Sequence, residues 1–190
     1  AAPRAGAPVV VFIHGGYWKA LDKSQHSFLA AALRDLGAAV VVPNYALCPQ
    51  ADIPRITLQM ARAVAWAWRH AGRFNCDARC LVVMGHSAGG QLAAMMLACA
   101  WPAVDPALPR DVVKAALGIS GLYDLEPLMQ TPSLQEVLRL TPAQVRRASP
   151  SRLPAPARGR LASVVGGDES GEYLRLNRLI QQAWGRERVP

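Results

Sequence analysis

The apolar run Cys80-Leu81-Val82-Val83-Met84 stops at Gly85-His86-Ser87-Ala88-Gly89-Gly90 and gives way to an alanine-rich stretch, residues 91–100, that contains no Gly or Pro. Short apolar runs rich in β-branched residues form parallel strands buried on both faces, and the alanine-rich stretch predicts a packed helix. Joining strand to helix through Gly-x-Ser-x-Gly alone forces the serine into a tight, strained turn, with Gly85 and Gly89 allowing the two backbones to approach. The Ser87 hydroxyl then stands at a helix N-terminus, where amide donors favour developing negative charge. Ser87 is therefore the candidate nucleophile. The motif alone leaves one alternative open, a glycine-rich turn in which the serine caps the helix.

The rest of the chain repeats this alternation. Residues 8–13 and 39–42 read as strands on either side of a helix over 24–36, in which Phe28, Leu29, Ala32, Leu33 and Leu36 keep helical spacing and Gly37 is the stop. A long helix beginning near Pro54 carries the stripe Ile56, Met60, Val64 and Trp68, with Trp66 off it. Further strands are expected at 113–119 and 161–165, followed by a helix with Tyr173, Leu176, Ile180 and Trp184 on one face and Gly185 as its stop. Alternating strand and helix predicts an α/β domain over residues 1–190, with a mostly parallel sheet and helices on both faces. Between residues 121 and 160 the alternation is interrupted by short helical pieces. There Ser133-Leu134-Gln135-Glu136 and Thr141-Pro142-Ala143-Gln144 each fit a capping box, and Pro150, Pro154 and Pro156 mark a loop. This insertion lies above the carboxyl ends of the strands, where it either shapes a pocket over Ser87 or runs as a surface excursion.

Composition narrows the function classes. With 190 residues, 52% of them hydrophobic, the chain is large enough for one substantial core, and no apolar run approaches the roughly 18 residues of a membrane span. The start of the chain lacks the pattern of a secretory leader. Cys48, Cys76, Cys80 and Cys99 are scattered, as expected for free thiols in the reducing cytoplasm. Cys76 and Cys80 lack the Cys-x-x-Cys spacing of a metal site, so no metal is expected. The net charge of +8 reflects arginines crowding the second half of the chain without interleaved aromatic residues. That pattern reads as a solvated surface, not as a nucleic-acid site.

Acyl transfer from a serine needs a base, an acid to orient it and donors for the oxyanion. The candidate donors are the amide of Ala88 and those of Gly15 and Gly16 in His14-Gly15-Gly16-Tyr17-Trp18, just after the first strand. Asp168, after the 161–165 strand and a Gly166-Gly167 turn, is the candidate acid, with Asp124 and Glu169 as rivals and a helix-capping or turn role as the alternative. Tyr17, Trp18 and Tyr45 are candidate pocket residues, with packing as the competing role. No histidine takes the place of the base. His14 and His86 belong to loops already assigned, His26 and His70 sit at helix ends, and none follows Asp168.

Four strings, His14-Gly15-Gly16-Tyr17-Trp18, Gly85-His86-Ser87-Ala88-Gly89, Ser120-Gly121-Leu122-Tyr123-Asp124-Leu125-Glu126-Pro127-Leu128 and Gly167-Asp168-Glu169-Ser170, fall in this order along nearly the whole chain. In them the chain resembles the α/β-hydrolase esterases of the kynurenine formamidase (arylformamidase) group. The resemblance implies an α/β-hydrolase fold, Ser87 as nucleophile, Asp168 as triad acid, an oxyanion hole of Gly15, Gly16 and Ala88, and no metal or organic cofactor. It also implies hydrolysis of a small aryl formamide, as with N-formylkynurenine in tryptophan degradation, or of a carboxylic ester. Members of the group carry strands before the one at 8–13, and a last strand and the catalytic histidine beyond the helix at 173–184. The expectation is therefore a segment of a longer protein that lacks its first strands and its last strand, with the 39–42 and 161–165 strands as sheet edges and weak hydrolysis by itself. The expected partner is a small ester or formamide, and a homodimer is the association that bare edges leave open. A catalytically inactive hydrolase-fold binding protein is the second reading.

Overall fold

The computed structural model describes residues 5–190. Strands β1 (Ala7–Ile13), β2 (Ala39–Val41), β3 (Cys76–His86), β4 (Ala115–Ile119) and β5 (Arg160–Val164) form one parallel sheet in the order β2-β1-β3-β4-β5. The two strands expected at the edges, β2 and β5, occupy them. Helices α1 (Leu29–Asp35), α2 (Ile53–His70), then α3 (Ala88–Leu97) with the short α4 (Trp101–Val104) connect successive strands through β4. Three short helices, α5 (Glu126–Met129), α6 (Pro132–Leu138) and α7 (Pro142–Ala148), lie between β4 and β5, and α8 (Gly171–Trp184) follows β5.

Register explains where the core sits. Val11, Val83, Ala116 and Leu161 are aligned across four adjacent strands and all are buried. Met60 and Val64 of α2, Leu92 and Met96 of α3 and Ile180 of α8 belong to the same core. Each fully buried Val, Leu or Ile contributes about 1.5–3 kcal/mol through the hydrophobic effect. The alternate row, Phe12 and Met84, points to the other face and lines a groove with Leu29 and Leu33 of α1. Helices therefore cover both faces, unequally.

Three local expectations are corrected. The 24–36 stretch is two pieces, a 3-10 turn over Lys23–His26 and then α1. The turn is fixed by a capping box in which the Asp22 carboxylate accepts from Ser24 N at 2.8 Å and Gln25 Oε1 accepts from Asp22 N at 3.0 Å. Phe28, the N-cap of α1, lines the open groove beside Leu29, and Leu36 lies past the last turn, so they are 71% and 83% exposed. Ser133 caps nothing, because Pro132 starts α6 with Thr131 at its N-cap. Strand β3 begins four residues before the apolar run, at Cys76, whose register partner is Ala7. The other capping box forms as read, with Gln144 Oε1 accepting from Thr141 N at 2.9 Å. Among the described residues no helix is long and apolar enough to cross a membrane.

Candidate active site

Strand β3 ends at His86 and α3 begins at Ala88, so Ser87 alone makes the turn. Its backbone, at φ 55 and ψ −117, is a conformation that side chains other than glycine adopt only under strain. The crowding behind it is backbone on backbone. A Cβ on Gly85 falls 2.1 Å from the Gly89 carbonyl oxygen, and one on Gly89 falls 2.0 Å from that of Ile13. Ser87 N donates to the Ile119 carbonyl at 2.8 Å, which ties the turn to β4. The hydroxyl makes no capping bond to α3 and has no hydrogen-bond partner among the described residues, although Ser87 is only 7% exposed. A serine whose work was to cap the helix would spend its oxygen there.

The loop after β1 lies against this turn, with a Cβ on Gly15 only 3.3 Å from Ser87 Cβ. Two carbonyls of the loop are pinned from one side. The Tyr45 hydroxyl sits 3.0 Å from both the His14 and the Gly15 carbonyl oxygens, and His14 Nδ1 donates to the Gly15 carbonyl at 2.8 Å. In a planar trans peptide N–H and C=O point in opposite directions, so the N–H groups of Gly15 and Gly16 face away from Tyr45. The His14 and Tyr45 rings stack at 4.2 Å and 13°. Burial pushes the His14 pKa below its ordinary 6.5 and raises that of the Tyr45 phenol.

Of the three aromatic residues expected at a pocket, Tyr17 alone lines a cavity at this edge. Trp18 is fully buried and donates from Nε1 to Gln91 Oε1 at 3.2 Å, while Tyr45 is the carbonyl clamp. Gln91 in turn donates to the Ala148 carbonyl at 2.7 Å, tying the β1 loop to the insertion. Sequence reasoning passed over this residue, whose one signal was a polar side chain in an otherwise apolar helix. Tyr173, read as a packing position, instead brings its hydroxyl to 3.0 Å from that of Tyr17. This bond, with some burial, raises the Tyr17 pKa to about 12.

All three candidate acids follow β4 or β5, at the carboxyl edge of the sheet. Asp168 is exposed, with no hydrogen-bond partner among the described residues. Glu169 accepts from the Ser120 hydroxyl and from Gly166 N, and the Ser120 bond holds its carboxyl below the usual range. Asp124 accepts from Arg152 Nε at 3.1 Å. None of them bonds a histidine. His70 Nδ1 is 2.8 Å from the Trp66 carbonyl on α2, His26 stacks on His14 at 5.8 Å, and His86 is exposed. No histidine among the described residues hydrogen-bonds the Ser87 hydroxyl, and no three His, Cys, Asp or Glu side chains among them cluster as metal ligands. Leu122, Leu128 and Leu134 from the 121–160 stretch wall a cavity of about 260 Å3 together with Leu176 of α8.

The sequence profile of the BD-FAE family matches residues 1–136. Over 145 residues the chain is 37% identical to a kynurenine formamidase from Danio rerio, a match that covers 76% of this chain and 47% of that one. Over 131 residues it is 32% identical to the esterase LipQ of Mycobacterium tuberculosis, covering 65% of this chain and 30% of that one. The crystal structure of a candidate thioesterase from Silicibacter sp. TM1040, 35% identical, superposes with a TM-score of 0.84 over 96% of this chain and 66% of that one. The chain spans about half the length of the formamidases it matches.

Proposed function

The chain belongs to the BD-FAE family and has the α/β-hydrolase fold, and from that premise we propose that Ser87 is the nucleophile of a serine hydrolase acting on a small aryl formamide or carboxylic ester. One observation carries the proposal: Ser87 stands alone between strand and helix at positive φ, its hydroxyl unspent, against a loop whose amides Tyr45 turns outward. Ser87 Oγ attacks the substrate carbonyl, and the oxyanion that forms takes hydrogen bonds from the amides of Ala88, Gly15 and Gly16. Ala88 supplies the first amide of α3, one of those a helix leaves without an intrahelical partner. Losing one such donor costs about 100- to 1,000-fold in turnover. Collapse of the tetrahedral species expels the amine or alcohol, and water then releases the acyl group from Ser87. Asp168, at the same sheet edge, is the carboxylate assigned to orient the base.

The base takes the Ser87 proton and returns it to the leaving group. None of the four histidines in these 190 residues is placed to do so; the second reading, a hydrolase-fold binding protein without turnover, holds only if the whole protein lacks the triad histidine. Added imidazole separates the two. We expect phenyl acetate hydrolysis by the chain to rise with imidazole concentration above the Ser87→Ala background, as an external base fills the missing role; equal rates in both proteins at every imidazole concentration select the binding protein. The kynurenine formamidases among the relatives support the formamide, so N-formylkynurenine is expected to turn over faster than phenyl acetate under the same conditions. The reverse order selects a general carboxylesterase.

A further inference from the structure

The cavity of about 260 Å3 at the carboxyl edge of the sheet is apolar over most of its wall, through Leu122, Leu128, Leu134 and Leu176. Tyr17 joins it to the loop beside Ser87, since Gly16 alone separates Tyr17 from Gly15. An apolar cavity of about 150 Å3 already holds benzene, so this volume takes one substituted ring.

Its distinctive polar feature is the pair of hydroxyls of Tyr17 and Tyr173, 3.0 Å apart. A hydrogen bond between two phenols uses one proton and leaves the other O–H without an acceptor. Neither hydroxyl has a further partner among the described residues. The O–H left without a protein acceptor is a donor that an acceptor on a bound ring can take up. The carboxylates at the cavity, Asp124 and Glu172, are already paired with Arg152 and Arg175 at 3.1 and 2.7 Å, so charge does not choose the ligand. With the Tyr17 pKa near 12, that phenol remains a donor at neutral pH.

We infer that this cavity is the subsite for a single apolar ring bearing a neutral hydrogen-bond acceptor, and that the Tyr17–Tyr173 pair is the specificity determinant that reads the acceptor, resting on Ser87 as the reacting centre. Acetophenone and cumene, nearly identical in shape but only the first with an acceptor, are the probes, and ligand-observed NMR gives their affinities. Wild type binds both. The double variant Tyr17→Phe/Tyr173→Phe weakens acetophenone about fivefold, the worth of one net hydrogen bond, and leaves cumene within about twofold. Leu134→Trp fills the cavity and removes both probes, with circular dichroism reporting that the fold persists; Thr131→Trp, on the same wall, serves if that variant does not fold. The inference is overturned if wild type binds neither probe, if the tyrosine variant affects both equally or neither, or if filling the cavity leaves acetophenone bound. Ser87→Ala binds both probes like wild type, so a failure of the nucleophile assignment appears separately, as the absence of Ser87-dependent turnover.

Discussion

The Tyr45 hydroxyl meets the Gly15 carbonyl at 3.0 Å from 30 residues further along the chain, and meets the His14 carbonyl at the same distance. One phenol thus sets the direction of two consecutive peptides, whose N–H groups point away from it.

Tyr45→Phe keeps the ring stacked on His14 but removes the donor. Under the proposed function we expect Ser87-dependent turnover, measured with imidazole present, to fall about tenfold through kcat with KM unchanged, because the donors act on the oxyanion and not on the bound substrate. A change confined to KM contradicts the positioning role.

Gly89→Ala tests the close approach behind Ser87. Its methyl group has the Ile13 carbonyl oxygen at 2.0 Å and no flexible side chain to displace, so the helix must leave the sheet. The expected loss exceeds about 3 kcal/mol, read as insolubility or as a urea midpoint far below wild type. Gly167→Ala, with nothing within 4 Å of the added carbon, has no such contact and should retain solubility and the wild-type midpoint.

The turn at Ser87 was legible because chain geometry leaves so few residues able to occupy it: a strand must end, a helix must start, and two backbones must touch at Gly85 and Gly89. The loop His14-Gly15-Gly16 was legible for the same reason. What could not be read was the direction of side chains across the fold. Trp18 and Tyr45 look like pocket residues in the loops after β1 and β2, yet each donates to a residue 73 or 30 positions away and is held in the interior. Tyr173 sits on a helical stripe with Leu176 and Ile180, and nothing local distinguishes a ring that packs from one that also reaches Tyr17. Among the acids, position after β5 and the Gly166-Gly167 turn favours Asp168, which is exposed, while neighbouring Glu169 accepts from Ser120.

The two capping boxes read from sequence give a paired prediction. Thr141→Ala removes a hydroxyl that accepts from Gln144 N and is expected to cost about 1 kcal/mol. Ser133→Ala, inside α6 and without a cap bond, is expected to change stability by less than about 0.5 kcal/mol. Urea unfolding of both variants checks the difference.

Acid sensitivity follows from His14. Its pKa lies below the 6.5 of the unfolded chain because of burial, with opposing pulls from the bond to the Gly15 carbonyl, Asp22 and Asn44 and a further lowering from nearby His26. Once pH falls toward 6.5 the unfolded state binds more protons than the folded one, so this contribution to stability is complete above 6.5 and is lost as pH drops toward the lower folded value. The melting temperature of wild type is expected to decline between about pH 7.5 and pH 5.5, and His14→Gln to flatten that decline. An equal slope in the variant contradicts the assignment.

The most direct test is to locate a covalent adduct. The chain is treated with a fluorophosphonate in the presence of imidazole and its peptides are mapped by mass spectrometry. A single phosphonyl adduct on Ser87, absent from Ser87→Ala and reduced in Tyr45→Phe, is the predicted result. Adduct on Ser120 or Ser163 in place of Ser87, or labelling unchanged in Ser87→Ala, contradicts the assignment of the nucleophile.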